Sequence, residues 1–174
     1  MSSPYESGDP AIAAVFIDAP RSPVLRTLFD YWTAKRGPRL FPSRAEINPA
    51  DIKPLLADVM LWSVEASGDP FLIRLVGDNI VRFVGADNRG RPATESMPPD
   101  AARMMIEILS QVVETKTPRF RFGKALWKPE KSYCDFEACF LPLSADGQNV
   151  NMILGGLKFD FESGRPIRAK GVEG

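Results

Sequence analysis

Residues 133–160 read YCDFEACFLPLSADGQNVNMILGGLKFD, and the reading of this stretch decides the fold. Two apolar segments, 133–144 and 149–160, flank the polar connector Ala145-Asp146-Gly147-Gln148. An Asp-Gly pair between apolar runs specifies a chain reversal, because Asp tolerates the left-handed backbone region and Gly enters it at no steric cost. Tyr133, Phe136, Cys139, Phe140 and Leu141, then Met152, Ile153, Leu154, Leu157 and Phe159, occupy both parities of their strands. A strand with one wet face alternates, and these do not. Both faces of the hairpin are therefore expected to be covered. Parity leaves open whether Phe136 or Cys139 meets the helices. Gly155-Gly156 lacks side chains and permits close approach, so an N-terminal helix is expected to cross there.

Upstream of the hairpin, residues 119–127 predict a strand in which Arg119 and Arg121 alternate with Phe120 and Phe122. Asp100 to Thr115 predicts a long helix. Met104, Ile108 and Val112, with Met105, Leu109 and Val113, form adjacent i, i+4 rows. Residues 85–99 are rich in Gly and Pro and predict a loop with brief helical turns. Before it, residues 59–65 and 71–76 predict a strand pair joined by Ser-Gly-Asp-Pro, followed by a short amphipathic helix over 79–84. In the return strand, alternation puts Phe71, Ile73 and Leu75 on one face.

Towards the N-terminus, Ser22-Pro23 reads as a helix start and Gly37-Pro38 as its stop, with Leu25, Leu28, Phe29 and Trp32 at helical spacing. Asn48-Pro49 starts a second short helix carrying Ile52, Leu55 and Leu56 and ending by Ala57. The expected division is a flexible arm over 1–20, a helical extension over 21–57, a sheet domain over 58–161 and a flexible tail over 162–174. Strands joined by short polar turns imply an α+β fold. Its sheet is antiparallel and five-stranded, with helices on one face and the N-terminal helical extension on the other.

Composition removes several classes of function. Among 174 residues, Lys+Arg and Asp+Glu balance at 22 each, so no global field draws in nucleic acid or an anionic membrane. No apolar run approaches the roughly 20 residues needed to span a bilayer, and MSSPYESGDP lacks a signal-peptide pattern. A cytoplasmic protein with no membrane or nucleic-acid partner is expected. There is no histidine, which removes His-based triads, His zinc sites and His-ligated haem. Cys134 and Cys139, five apart on one strand, point to opposite faces and are expected as reduced thiols.

The β-β-helices-β-β-β order resembles the PAS sensory domain. Leu75-Val76-Gly77-Asp78-Asn79-Ile80-Val81-Arg82-Phe83-Val84-Gly85 looks like that family's segment between second strand and first short helix, and Gly90-Arg91-Pro92 like the start of its next loop. Leu141-Pro142-Leu143-Ser144 and Met152-Ile153-Leu154-Gly155-Gly156 look like strand ends of a bacterial subfamily of stand-alone PAS proteins. The Tyr31-Trp32 pair before Asn48-Pro49-Ala50-Asp51-Ile52 is also similar to that subfamily. The resemblance covers roughly residues 24–160. It implies a PAS-like domain over 58–161: a concave sheet around helices, often with a small-molecule cavity, signalling through dimer contacts. It carries no cofactor over. Haem-binding members usually offer a His, and photoactive flavin-binding members a Cys in the region where this chain has Asp87-Asn88-Arg89.

The candidate ligand-binding residues are Phe71, Ile73, Leu75, Ile80, Phe83, Met104, Ile108, Trp127, Phe136, Ala138 and Met152. Apolar side chains on facing elements are, more often than not, ordinary core, and each of these is a candidate for that as well. Leu25, Phe29 and Trp32 are the candidate helix cover and dimer contact, and Trp62 is a second aromatic for core or seam. Arg89, Arg91 and Arg103 gather where an anionic ligand or a solvated rim is expected. Asp135 and Glu137 stand on one strand face about 6–7 Å apart. That spacing suits an acid/base pair if burial separates their pKa values, and equally a stripe paired to Arg119, Arg121 or Lys124 on the neighbouring strand.

The expected function is a non-enzymatic sensory and signalling module, binding a small ligand or a protein partner. Its output passes through a homodimer or to a separate effector, such as a signalling kinase or cyclase. The alternative is a small-molecule enzyme on a curved α+β sheet using Asp135 and Glu137.

Overall fold

The computed structural model describes residues 14–125, 128–131 and 134–160. Its elements in chain order are β1 (Ala14–Ile17), α1 (Pro23–Arg36), β2 (Val59–Val64), β3 (Phe71–Val76), α2 (Asp78–Val84), α3 (Pro99–Thr115), β4 (Arg119–Lys124), β5 (Asp135–Leu143) and β6 (Met152–Asp160). The fold is α+β, and the strands form one antiparallel sheet in the order β1-β4-β5-β6-β2-β3. The sheet has six strands where five are expected. The additional one, β1, comes from the stretch read as an arm. Val15, Phe16 and Ile17 pair with Phe122, Arg121 and Phe120, which satisfies the open edge of β4 and half-buries Val15 and Ile17 while Phe16 stays exposed.

The 133–160 hairpin sits at the middle of the sheet, with β5 against β4 and β6 against β2. Asp146 organises its turn: the carboxylate accepts the N–H groups of Gln148 and Asn149 and the Ser144 hydroxyl, while Gly147 takes φ 76°. This ring of donors holds the Asp146 carboxyl far below the ordinary carboxylate range.

Both faces of the hairpin are covered. On one lie α2 and α3, packed through Ile80, Phe83, Ile108, Leu109 and Val112 onto Trp62, Ile73, Phe136, Ala138, Phe140 and Leu157. On the other, Leu25, Leu28 and Trp32 of α1 cover Leu61, Phe120, Cys139, Leu141 and Leu154. Phe136 is thus the residue that meets α2 and α3, and Cys139 the one under α1. The glycine pair serves both layers. A β-carbon at Gly155 would stand 2.3 Å from the Trp62 ring, and one at Gly156 would stand 2.6 Å from Leu25 Cδ2. The expected helix crossing lies over Gly156.

Two local features differ from the sequence reading. The strand pair β2–β3 slips register between Leu61 and Trp62, so that Leu61 opposes Leu75 while Trp62 opposes Ile73. The irregularity breaks simple alternation: Leu75 joins the α1 layer while Ile73 stays under α2 and α3. The second N-terminal helix is a 3-10 helix over Lys53–Asp58, preceded by a turn in which Asn48 Oδ1 accepts the Ala50 N–H.

Candidate functional site

Between the sheet and α2–α3, two small voids lie among the described residues. The inner one, about 30 Å³, is lined by Met60, Trp62, Ile73, Ile80, Met105 and Phe159 among others. A second, about 20 Å³, lies against Arg121, Ala101, Phe136, Ala138 and Phe140. Each has room for about one water molecule. Met97, Met105 and Leu157 belong to both linings and are the partition between them. Outside lies a vestibule of about 320 Å³ with Arg91, Glu95 and Lys128 on its rim. Its lining shares Val84, Ala86, Asn88, Ser96 and Met97 with the inner void. Met97 therefore borders all three spaces.

The polar frame of the mouth is built locally. Buried Asn88 donates from Nδ2 to the Ser96 carbonyl and accepts the Arg91 N–H on its own carbonyl. Ile73 pairs with the same loop through Arg91 O and the Gly90 N–H, so β3 anchors the loop that carries the rim. Of the arginines expected there, Arg89 is paired with Asp87 and Arg103 with Asp100; only Arg91 lines the vestibule.

The structure divides the sequence candidates. Ile73 and Ile80 line the inner void, and Phe136 and Ala138 the second. Phe71, Phe83 and Ile108 are buried in the same core layer without lining either, Phe83 being stacked on Phe159 with ring centroids 3.7 Å apart. Leu75 and Met152 do not join them. Leu75 is displaced by the β2–β3 irregularity, and both pack in the α1 layer. Met104 is half-buried and outside both linings; its neighbour Met105 takes the place, one step of about 100° around the helix. Trp127 lies outside the described residues. Leu25 and Trp32 are buried in the core of their own chain, with Trp32 Nε1 donating to the Pro142 carbonyl at 2.9 Å. Phe29 is half-buried beside them, edge-on to Phe120. Trp62 is likewise core.

Asp135 and Glu137 have structural partners. Glu137 is buried and accepts the Arg21 N–H at 2.8 Å and the Ser22 N–H at 2.9 Å. It sits where the macrodipole of α1 favours a negative charge. Ser22 occupies the N-cap position, yet its own side chain makes no capping bond; a carboxylate from β5 does that work. Asp135 pairs with Lys124, its register neighbour on β4. Phe122 stands opposite Glu137, and Arg121 opposite Ala138, so the arginines of β4 face α3 and not the carboxylates.

Sequence reasoning missed Met60, Met97 and Leu157, and it cast Arg121 as a partner for the carboxylates. Apolar residues carry no label that separates a void from a filled core. Arg121 was legible only through register: once Lys124 opposes Asp135, parity turns Arg121 to the other face.

A family model described as PAS domain matches residues 21–158. No curated protein matches the chain. The chain belongs to the PAS domain family, and the match begins ahead of α1, so the helix that covers the second face lies inside the family's own extent.

Proposed function

Starting from membership of a family of sensory and signalling modules that are generally non-enzymatic, we propose that this chain is a ligand-responsive PAS sensor. A small molecule enters from the vestibule and displaces Met97. It occupies the merged space between the sheet and α3, and the change reaches α1 through β6. The observation that carries this reading is the shared position of Met97, whose flexible thioether borders the inner void, the second void and the vestibule. The coupling has a physical route. Trp62 lines the inner void and presses on Gly155, while Gly156, the next residue, touches Leu25 and Leu28 of α1. A shift of one layer is met by the other across a single strand.

PAS domains commonly dimerise and engage effectors, and in this reading α1 and the 21–57 extension transmit the state to a second copy or to a separate effector protein. Leu25 and Trp32 hold α1 to its own sheet, so the outward side of α1 would make such contacts. The ligand must bind the two packings with different affinity for any signal to pass. The acid/base alternative is not favoured, because both Glu137 oxygens receive backbone N–H groups at the start of α1.

Native mass spectrometry of the purified chain tests this directly. A dimer carrying a small molecule that is lost on denaturation is the expected result. A ligand-free species, together with a Met97→Ala variant that takes up no apolar probe, would remove the reading.

A further inference from the structure

Arg121 is a cation that the fold buries beside a void. It is 6 % exposed, and among the described residues no carboxylate forms an ion pair with its guanidinium. Its near neighbours are rings: Phe16 at 5.8 Å and Phe136 at 6.0 Å from the guanidinium carbon. Such contacts supply a fraction of what an anion would. Buried charges are ordinarily paired, since desolvation of a lone ion is costly. Loss of water pushes the Arg121 pKa down to about 10. A side chain of this kind, bordering an internal void, is built for a negative charge that arrives from outside.

We propose that Arg121 is the anion receptor of the ligand chamber, and that the ligand is a small monocarboxylate with an apolar tail. This rests on the sensor reading above and names the ligand class. The carboxylate pairs with the guanidinium fork in the void lined by Ala101, Met105 and Phe136, and the tail runs past Met97 towards Trp62 and Ile73. Ala101 belongs to the first turn of α3, a 17-residue helix whose N-terminal end also favours an anion. One guanidinium balances one negative charge. A phosphate dianion would bring a second, uncompensated charge into an apolar chamber, so the class is carboxylate and not phosphate. Arg91 and Lys128 on the vestibule rim add positive charge along the way in, offset in part by Glu95 and by Glu130, which pairs with Lys128.

The test compares hexanoate with 1-hexanol on the full chain, read by titration calorimetry and thermal shift, in wild type, Arg121→Met, Arg121→Lys and Met97→Ala. Wild type is expected to bind hexanoate at least tenfold more tightly than hexanol. Arg121→Met should lose that preference while keeping hexanol, and Arg121→Lys should retain part of it; circular dichroism establishes that each variant is folded. Equal binding of acid and alcohol by wild type, or an unchanged hexanoate preference in Arg121→Met, overturns the assignment of Arg121 while the sensor cavity stands. If neither probe binds wild type or Met97→Ala, the cavity reading and this inference fall together.

Discussion

Gly156 lies directly beneath Leu25: a β-carbon built on the glycine would stand 2.6 Å from Leu25 Cδ2, and 2.9 Å from Leu28 Cδ2. The helix that covers the second face of the sheet is seated on a missing side chain. Gly155, one residue earlier, plays the same part for Trp62 on the opposite face.

Gly156→Ala must therefore push the buried ends of Leu25 and Leu28 aside, lift α1 or bend the centre of β6. Overpacking of this kind costs about 1–3 kcal/mol. Gly147→Ala, in the hairpin turn, meets no atom within 4 Å and is penalised only through its positive φ, by about 1 kcal/mol. Urea unfolding of the two variants should show the larger loss at 156. A larger loss at 147 would mean that α1 rides free of the sheet.

Removing the Glu137 carboxylate should release the start of α1. Glu137→Ala leaves the Arg21 and Ser22 N–H groups without their acceptor and is expected to cost about 1–3 kcal/mol. Hydrogen exchange separates this from general weakening, since α1 amides should lose protection before those of β5 and β6. Uniform loss across the chain would contradict the capping role.

The two thiols should be silent in the native protein. Both cysteines are buried, and burial pushes the Cys139 thiol up to about 12. The thiolate is the reactive form. A thiol-reactive chromophore at pH 8 should therefore label neither cysteine until denaturant is added. Fast native labelling at Cys139 would show that α1 opens readily.

Acid should act on the corner between α1 and β2 in a definite direction. The Arg39 guanidinium and the Ser43 N–H hold the half-buried Glu46 carboxyl down at about 2. A depressed carboxylate contributes stability that is complete above its unfolded value near 4.5 and is lost as pH falls towards 2. The stability gap between wild type and Glu46→Gln should be constant from pH 7 to about 5 and close below that. A gap that widened in acid would refute the pairing.

Arg121→Met without ligand should raise the melting temperature, because it replaces a buried cation, with no ion-pair partner among the described residues, by an apolar chain of similar length. A gain of about 1 kcal/mol corresponds to roughly 2–4 °C in a chain of this size. A lower melting temperature would mean that the guanidinium is already satisfied.

The sequence by itself determined what depends on neighbours along the chain. The Asp-Gly turn, the doubly apolar hairpin, the 3.6-residue rows of α3, the Pro-started α1 and the resemblance to a PAS domain are all local patterns, and local propensity and periodicity encode them. Even the helix seated over Gly156 was legible, since a pair of glycines in a central strand asks for something to approach. Tertiary structure alone decided what depends on register. The slip at Leu61–Trp62 moved Leu75 to the far face, and the pairing of Lys124 with Asp135 turned Arg121 inward. The docking of Arg21 and Ser22 on Glu137 made a structural cap of one member of the candidate acid/base pair. A one-residue shift in pairing exchanges the two faces of a strand while leaving its composition unchanged, so no reading of residues in order can fix it.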